Sequence, residues 1–281
     1  MPDLPRLYDD LARLWPHLSP PEHYAPEAAA VRGVIDERLG SPPAGKQWRI
    51  LELGAGGGHT LYHLTAHYDC TAIDLSQPML DNCKALNPVV RCIQGDMRTV
   101  RLGETFDAVL IHDAIDYMLT EDDVVMTLRT ALAHLRPGGV ALIAPTYVKE
   151  TFIDGDVADD GTTIPGIGNP RNEAPREENE SPAAQRVATN DDELTYFTFV
   201  HDADPADSVF EMILLYLIRD GQTRQVEVVE DRHTCGLFAA EQWLAMMLKA
   251  RLEPQPVALP KQSEGGGESA AWTLFVGKRD E

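Results

Sequence analysis

The sequence predicts an α/β fold built on a doubly wound, parallel sheet. Three observations carry this. Between Trp48 and Ala144, short apolar runs rich in β-branched residues alternate with stretches of helical periodicity, the pattern of parallel strands joined by crossover helices. The first run, ending Ile50-Leu51-Glu52-Leu53, passes into Gly54-Ala55-Gly56-Gly57-Gly58, four glycines among five residues, before a helical segment resumes. Glycine is that dense where the backbone takes positive φ or a ligand lies against bare main chain, so a nucleotide-sized ligand is expected at this strand's carboxyl end. Lastly, 281 residues with 43% apolar side chains suffice for one large core or a core with a substantial insertion.

The elements follow in order. Residues 1–45 mix short helical patterns with Pro16, Pro20, Pro21, Pro26, Pro42 and Pro43, and read as an N-terminal helical cap. Leu7, Leu11, Leu14 and Trp15 share one helical face, and Ala28 to Leu39 forms a second helix. Strands are expected at 48–53, 70–74, 89–94, 106–111 and 140–144, with helices at 60–66, 78–85 and 121–135. Pro78 suits a first helical turn, and Arg136-Pro137-Gly138-Gly139 is read as a helix stop. Right-handed crossovers place helices on both faces.

From 150 to 193 the chain is rich in Asp, Glu, Gly, Pro and Asn, the composition of a solvated loop or a lid. Runs at 194–200, 209–218 and 225–229, separated by turn residues, read as an antiparallel three-stranded unit. A helix at 239–251 and strands at 256–259 and 271–276 complete the chain. The expected division is therefore cap 1–45, core 46–148 with 236–281, and an acidic loop with an antiparallel β insertion at 149–235 covering the site.

Charge narrows the class. With 24 basic and 45 acidic residues the formal net charge is −21, which disfavours nucleic acid and anionic membranes as partners. No apolar stretch nears the ~20 residues of a membrane span, and the first residues lack a signal-peptide pattern. Cys70, Cys83, Cys92 and Cys235 form no C-x-x-C pair, so reduced thiols and a cytoplasmic protein are expected. The sequence leaves the oligomeric state open, a homodimer being one expectation.

Spacing bears on which nucleotide binds. A dinucleotide fingerprint requires a third glycine where this chain has His59. Glu52, just before the turn, suits a cationic ligand better than a pyrophosphate. Asp74 ends the second strand, 22 residues beyond Glu52, where a carboxylate accepts from a ribose diol; an ordinary capping acid is the competing account. Asp96 and Met97 close the third strand, where an acid can accept from an exocyclic amine and a thioether can lie on a purine.

In these features the chain resembles the class I S-adenosylmethionine-dependent methyltransferases. The resemblance rests on Glu-Leu-Gly-Ala-Gly-Gly-Gly, Asp74-Leu75-Ser76, Gly95-Asp96-Met97-Arg98, Phe106-Asp107-Ala108-Val109 and Leu135-Arg136-Pro137-Gly138-Gly139, in that order. It implies a Rossmann-like sheet of seven strands, mostly parallel with the last antiparallel, whose closing hairpin lies around Gly265–Gly267. It implies S-adenosyl-L-methionine as cofactor and S-adenosyl-L-homocysteine as product. Gly54, Ala55 and Gly56 would approach the methionine moiety, Asp74 the ribose, and Asp96 and Met97 the adenine. Glu52, His59, Leu75, Met79, Arg98, His112 and Asp113 are the further expected cofactor contacts in the core, with Tyr8 and Tyr24 contributing from the cap.

A narrower resemblance is to amino-sugar N-methyltransferases and similar small-molecule enzymes, through Tyr8-Asp9, Gly-Asp-Met-Arg and the insertion after the fifth strand. It implies a small-molecule acceptor, an amine before a hydroxyl. The loop after the fourth strand departs from that group: small and hydroxylated residues give way to His112-Asp113-Ala114-Ile115-Asp116-Tyr117.

Methyl transfer is an in-line displacement, so alignment supplies most of the catalysis and a base is needed only for a protonated nucleophile. The resemblance makes Tyr117 the first candidate base, with packing on cofactor or substrate as the alternative. His233, in Asp231-Arg232-His233, is the second candidate, against a structural bond to Asp231. Tyr147 is a weaker pocket candidate. His59, His63 and His67 recur at helical spacing, but no Glu follows the first as the zinc motif requires, and no metal is expected. Two other functions remain open: a cofactor-binding module without turnover, and a nicotinamide-dependent oxidoreductase.

Overall fold

The computed structural model describes residues 4–157, 163–165, 185–188, 192–259 and 272–280. The chain divides into two compact units, Met1–Thr151 with Gly236–Glu281, and Phe152–Cys235.

The first unit opens with short 3-10 turns, Arg6–Tyr8, Ala12–Leu14 and Pro21–Tyr24, and two helices, α1 (Trp15–Leu18) and α2 (Ala25–Leu39). The core then runs β1 (Arg49–Leu53), α3 (His59–Leu64), β2 (Asp69–Asp74), α4 (Gln77–Leu86), β3 (Arg91–Gln94), β4 (Phe106–His112), α5 (Glu121–His134) and β5 (Leu135–Ala144). Its later members are α6 (Ala240–Lys249) and, after the second unit's strands are counted, β12 (Glu253–Leu259) and β13 (Trp272–Lys278).

These strands form the expected seven-stranded sheet in the order β12-β13-β5-β4-β1-β2-β3. The neighbours from β3 to β5 pair parallel. β13 pairs antiparallel with both β5 and β12. The order reverses between β1, β2 and β4, and a doubly wound sheet opens a crevice at that switch point.

Strand alternation sends buried apolar residues to both faces. Leu51, Leu53, Ile73, Val109 and Ile111 join α5 and α6 in one cluster. Ile50, Ala72, Leu110 and Leu142 join α2, α3 and α4 in another, to which α2 contributes Val31 and Ile35. The helix starts follow ordinary capping. Ser76 caps α4 by accepting from the Met79 amide, and Thr120 caps α5 ahead of Glu121, Asp122 and Asp123, which favour the positive helix end.

Two departures from the sequence reading stand out. β5 begins at Leu135, in the stretch expected to stop a helix. The Arg279 amide donates to the Gly139 carbonyl at 2.9 Å and the Gly138 amide to the Arg279 carbonyl at 3.0 Å, so a distant segment pairs with this stretch although Gly138 keeps a φ of +73°. A bulge between Phe106 and Ala108 absorbs the register.

The second departure lies in the other unit. There the expected three long strands appear as β9 (Asp192–His201), β10 (Val209–Asp220) and β11 (Val226–Gly236), joined by short strands β6 (Gly155–Val157), β7 (Thr163–Pro165) and β8 (Gln185–Ala188). β6 and β8 both pair with β9, so six strands form this sheet among the described residues. Those short strands fall in the stretch read as a loop, because three or four residues held by a distant partner leave little periodicity. Residues 158–162, 166–184 and 189–191 of the proposed lid, and Gly265–Gly267, lie outside the described residues. Among the described residues no helix is long and apolar enough to cross a membrane.

Candidate active site

The site is built at the carboxyl edge around the switch point. β1 delivers Glu52, and the chain turns immediately. Gly54 has φ +77°, and a side chain there would place its Cβ 2.3 Å from the Ala114 Cβ. Glycine is therefore required twice, by backbone conformation and by close approach of the loop after β4. The Gly54 and Ala55 amides both donate to the Ile73 carbonyl, at 2.8 and 2.9 Å. Asp74, the next residue, accepts from the Gly56 amide at 2.7 Å and from the Ser76 amide at 2.8 Å. One carboxylate thus clasps the turn after β1 to the start of α4. Burial pushes Asp74 upward while those amides draw it back.

Glu52 is buried, and its Oε2 has no hydrogen-bond partner among the described residues. Burial pushes its carboxyl up to about 8, with His112 opposing and Asp74 and Asp113 adding to the rise. His112 ends β4, its Nε2 3.1 Å from Glu27 of α2 and its Nδ1 3.4 Å from Asp113. Burial disfavours the charged ring, but Asp113, Glu27 and Glu52 outweigh it and raise His112 to about 10. His112 thus lies among three acidic side chains.

Aromatic residues of the N-terminal segment meet this edge. Trp15 Nε1 donates to His59 Nδ1 at 2.8 Å, with the rings stacked. His59 accepts on Nδ1, so its ring proton sits on Nε2, and burial holds the ring neutral down to about 4. Tyr24 packs against both His59 and His112 and shares a 2.8 Å bond with Ser19. Tyr8 lies edge-on to Tyr117, whose hydroxyl donates to that of Tyr8 at 2.8 Å. The Tyr8 carbonyl accepts from Ser76 Oγ.

At the next strand ends, Met79 is fully buried with its methyl 3.4 Å from where a Gly56 Cβ would sit, and Met97 Sδ lies 3.8 Å from where a Gly54 Cβ would sit. The Leu75 carbonyl accepts from Gln94. Asp96 is gripped by the Arg98 guanidinium, at 2.7 Å in its shortest contact, which holds the carboxyl below its usual range. Arg98 also reaches Asp123 at 3.0 Å.

The loop after β4 begins with Asp113 at φ +49°, a strained value for a non-glycine residue. Its amide donates to the Ala144 carbonyl and its Oδ1 accepts from Thr146 Oγ1. Asp116, also buried, accepts from the Thr146 amide at 3.1 Å through Oδ2. Tyr147 is half-buried beyond β5.

The remaining histidines have other engagements. His63 faces the Pro21 carbonyl and His67 the Arg32 guanidinium. His233 belongs to β11 in the second unit, buried and 3.0 Å from Asp231.

Residues 50–139 match the methyltransferase domain family. That stretch resembles a methyltransferase domain. Within that class the chain is similar to dTDP-3-amino-3,4,6-trideoxy-α-D-glucopyranose N,N-dimethyltransferase of Streptomyces venezuelae, 34% identical over 139 residues, covering 49% of this chain and 56% of the relative. It is likewise similar to dTDP-4-amino-2,3,4,6-tetradeoxy-D-glucose N,N-dimethyltransferase of Saccharopolyspora spinosa, 34% identical over 158 residues and covering 56% and 59%. The matches thus span somewhat over half the length of these curated relatives. Solved structures align over more of the chain. The sugar N-methyltransferase KedS8 of a Streptoalloteichus species superposes with a TM-score of 0.73 at 25% identity, covering 100% of this chain and 96% of that one. DesVI of Streptomyces venezuelae gives 0.69 at 24% identity, covering 96% of each, and supports the fold.

The residues present fit S-adenosylmethionine, the cofactor of this methyltransferase class. The unpartnered Glu52 oxygen beside the turn suits an ammonium. Gly54 and Gly56 leave main chain bare, and Asp74, with two acceptor positions used by amides, retains lone pairs for a diol. Reading the sequence did not find Trp15, Glu27, Ser76, Asp116 or Thr146 as site residues. Trp15 looked like the end of an apolar face, and each of the others is joined to the site only by the fold.

Proposed function

We propose that this protein is a small-molecule N-methyltransferase whose acceptor is the amine of an amino-sugar nucleotide. The observation that carries this reading is the acidic edge around the glycine turn, where Glu52, Asp113 and Asp116 gather beside a methyltransferase domain. Support for the acceptor class comes from relatives named as dTDP-amino-sugar N,N-dimethyltransferases.

S-adenosylmethionine supplies an activated methyl group. Toward it, Glu52 would hold the ammonium, the bare main chain at Gly54 and Gly56 would admit the methionine moiety, and Asp74 would hold the ribose. Asp96 and Met97 would border the adenine, with Arg98 fixing the Asp96 carboxylate. Leu75, Met79 and His59 would line the cofactor from α4 and the turn, and Tyr8 and Tyr24 would cover it. The Tyr8–Tyr117 pair would orient the acceptor nitrogen. Fixing reactants in this way can account for ~7–11 kcal/mol of barrier lowering, and a base is needed only to unmask an amine that arrives protonated.

Calorimetry with S-adenosylhomocysteine tests the cofactor site. Mass spectrometry of dTDP-3-amino-3,4,6-trideoxy-glucose incubated with the protein and S-adenosylmethionine tests the acceptor. The expected results are saturable binding of the product and stepwise gain of methyl groups on nitrogen. Absence of product binding, or methylation confined to hydroxyl acceptors, overturns the reading.

A further inference from the structure

Asp116 is a buried carboxyl group whose position the fold alone does not explain. It lies in the 3-10 turn Ala114–Tyr117 after β4, one residue before Tyr117, and is 5% exposed. One carboxyl oxygen braces the Thr146 amide. The other, Oδ1, is equally shielded from water and has no partner among the described residues. A purely structural brace needs only the first. Buried carboxylates are otherwise paired, and an unpaired oxygen marks a place where a ligand completes the arrangement.

The surroundings point to a cation. The charged groups acting on Asp116 are Asp113, which repels its negative form, and His112, which favours it while lying 3.1 Å from Glu27. Thr146, the amide donor, is exposed just beyond β5. Asp116 therefore lies under the rim formed by the loops that leave β4 and β5, at the same edge as the cofactor turn. The turn is fixed there at some cost, through the strained Asp113 and its bonds to Ala144 and Thr146.

We propose that Asp116 is the acceptor-recognition residue, its Oδ1 receiving a hydrogen of the substrate's ammonium group. The inference rests on the amine-methylating function proposed above and deepens it. As the acceptor seats, an N–H bond of the ammonium breaks, an O–H bond forms on Asp116, and the nitrogen keeps the electron pair with which it attacks. The positive charge of the sulfonium ends on the methylated nitrogen, and the Asp116 proton passes to solvent as product leaves. A neutral hydroxyl acceptor brings no cation to this oxygen, so the residue selects amines.

The local environment suits that exchange. Burial pushes the Asp116 carboxyl well above the usual carboxylate range, the Thr146 hydrogen bonds opposing and Asp113 reinforcing the rise. A carboxylate near ~4 is a poor base for an alkylammonium near ~10, and general-base transfer improves as the two values approach.

The test uses the full chain with S-adenosylmethionine and two probes, dTDP-3-amino-3,4,6-trideoxy-glucose and dTDP-glucose. Asp116→Asn should lower kcat/KM for the amine by ~100-fold or more and move the acidic limb of its pH profile upward. Asp116→Glu should recover part of that loss, and S-adenosylhomocysteine affinity should change less than ~3-fold in both. Infrared difference spectra of the unaltered protein, carrying 13C-labelled aspartate, provide a measurement independent of folding in the variants. At a pH where Asp116 is ionised in the S-adenosylhomocysteine complex, a protonated carboxyl band should grow in on adding the amine, and not on adding dTDP-glucose. An Asp116→Asn protein within ~3-fold of the parent with an unmoved pH profile, or a band indifferent to the amine, overturns the assignment. Failure of the parent protein to bind S-adenosylhomocysteine instead defeats the broader methyltransferase reading.

Discussion

The hydroxyl of Tyr117 donates to the hydroxyl of Tyr8 at 2.8 Å, joining residues 109 positions apart. Their rings meet at 90° with centroids 5.4 Å apart. One partner comes from the first turn of the chain and the other from the loop after β4, so the pair ties the N-terminal segment to that loop.

Tyr117→Phe removes the donor and should lower kcat with an amine acceptor by ~10–100-fold, at a stability cost of about 1 kcal/mol. Tyr8→Phe should cost activity similarly, and the double variant little more than either alone. Additive losses in a steady-state double-mutant cycle would show that the two hydroxyls act independently.

Asp74→Ala should weaken S-adenosylhomocysteine binding by ~10–100-fold, since each hydrogen bond to a charged group contributes about 1.5–3 kcal/mol. Calorimetry reads the affinity. Unchanged binding would place the ribose elsewhere.

Gly54→Ala combines a positive φ with a Cβ only 2.3 Å from Ala114, whereas Gly103→Ala has a φ of +72° and open space. The first should cost about 3 kcal/mol or more and the second about 1. Chemical denaturation should rank them in that order, and equal costs would mean that the loop after β4 yields freely.

Stability should fall as pH rises. Glu52, raised from 4.5 to about 8, and His112, raised from 6.5 to about 10, both hold a proton more tightly folded than unfolded. Glu52's contribution is full below 4.5 and gone above about 8; that of His112 is full below 6.5 and lost through about 10. Melting temperatures between those limits should decline by several degrees without ligand. Glu27→Gln should weaken the alkaline part, and S-adenosylhomocysteine, bringing an ammonium to Glu52, should flatten the part below about 8. A flat profile without ligand refutes the assignment of charge.

Much of the sheet was legible because β1, β2 and β4 are nearly continuous buried apolar runs, where composition and burial coincide. The start of β5 was not, since Pro137-Gly138-Gly139 carries a breaker signature that pairing with Arg279 overrides. The strands β6, β7 and β8 take their order from partners, which no local pattern records. In the site, the glycine turn and Asp74 declared themselves by spacing along adjacent strands. Trp15 meeting His59 across 44 positions, and Thr146 meeting Asp116 across 30, are products of packing alone.

The Asp74 clasp carries one last consequence. Its two amide bonds fasten the ends of β1 and β2 whether or not any nucleoside is present, so the same carboxylate serves the apoprotein's own integrity. A descendant that stopped turning over substrate would still be under pressure to keep it. Persistence of the glycine turn and its acid therefore testifies to folding as much as to catalysis, and on the function proposed above it is Tyr117 and Asp116 that would report on turnover.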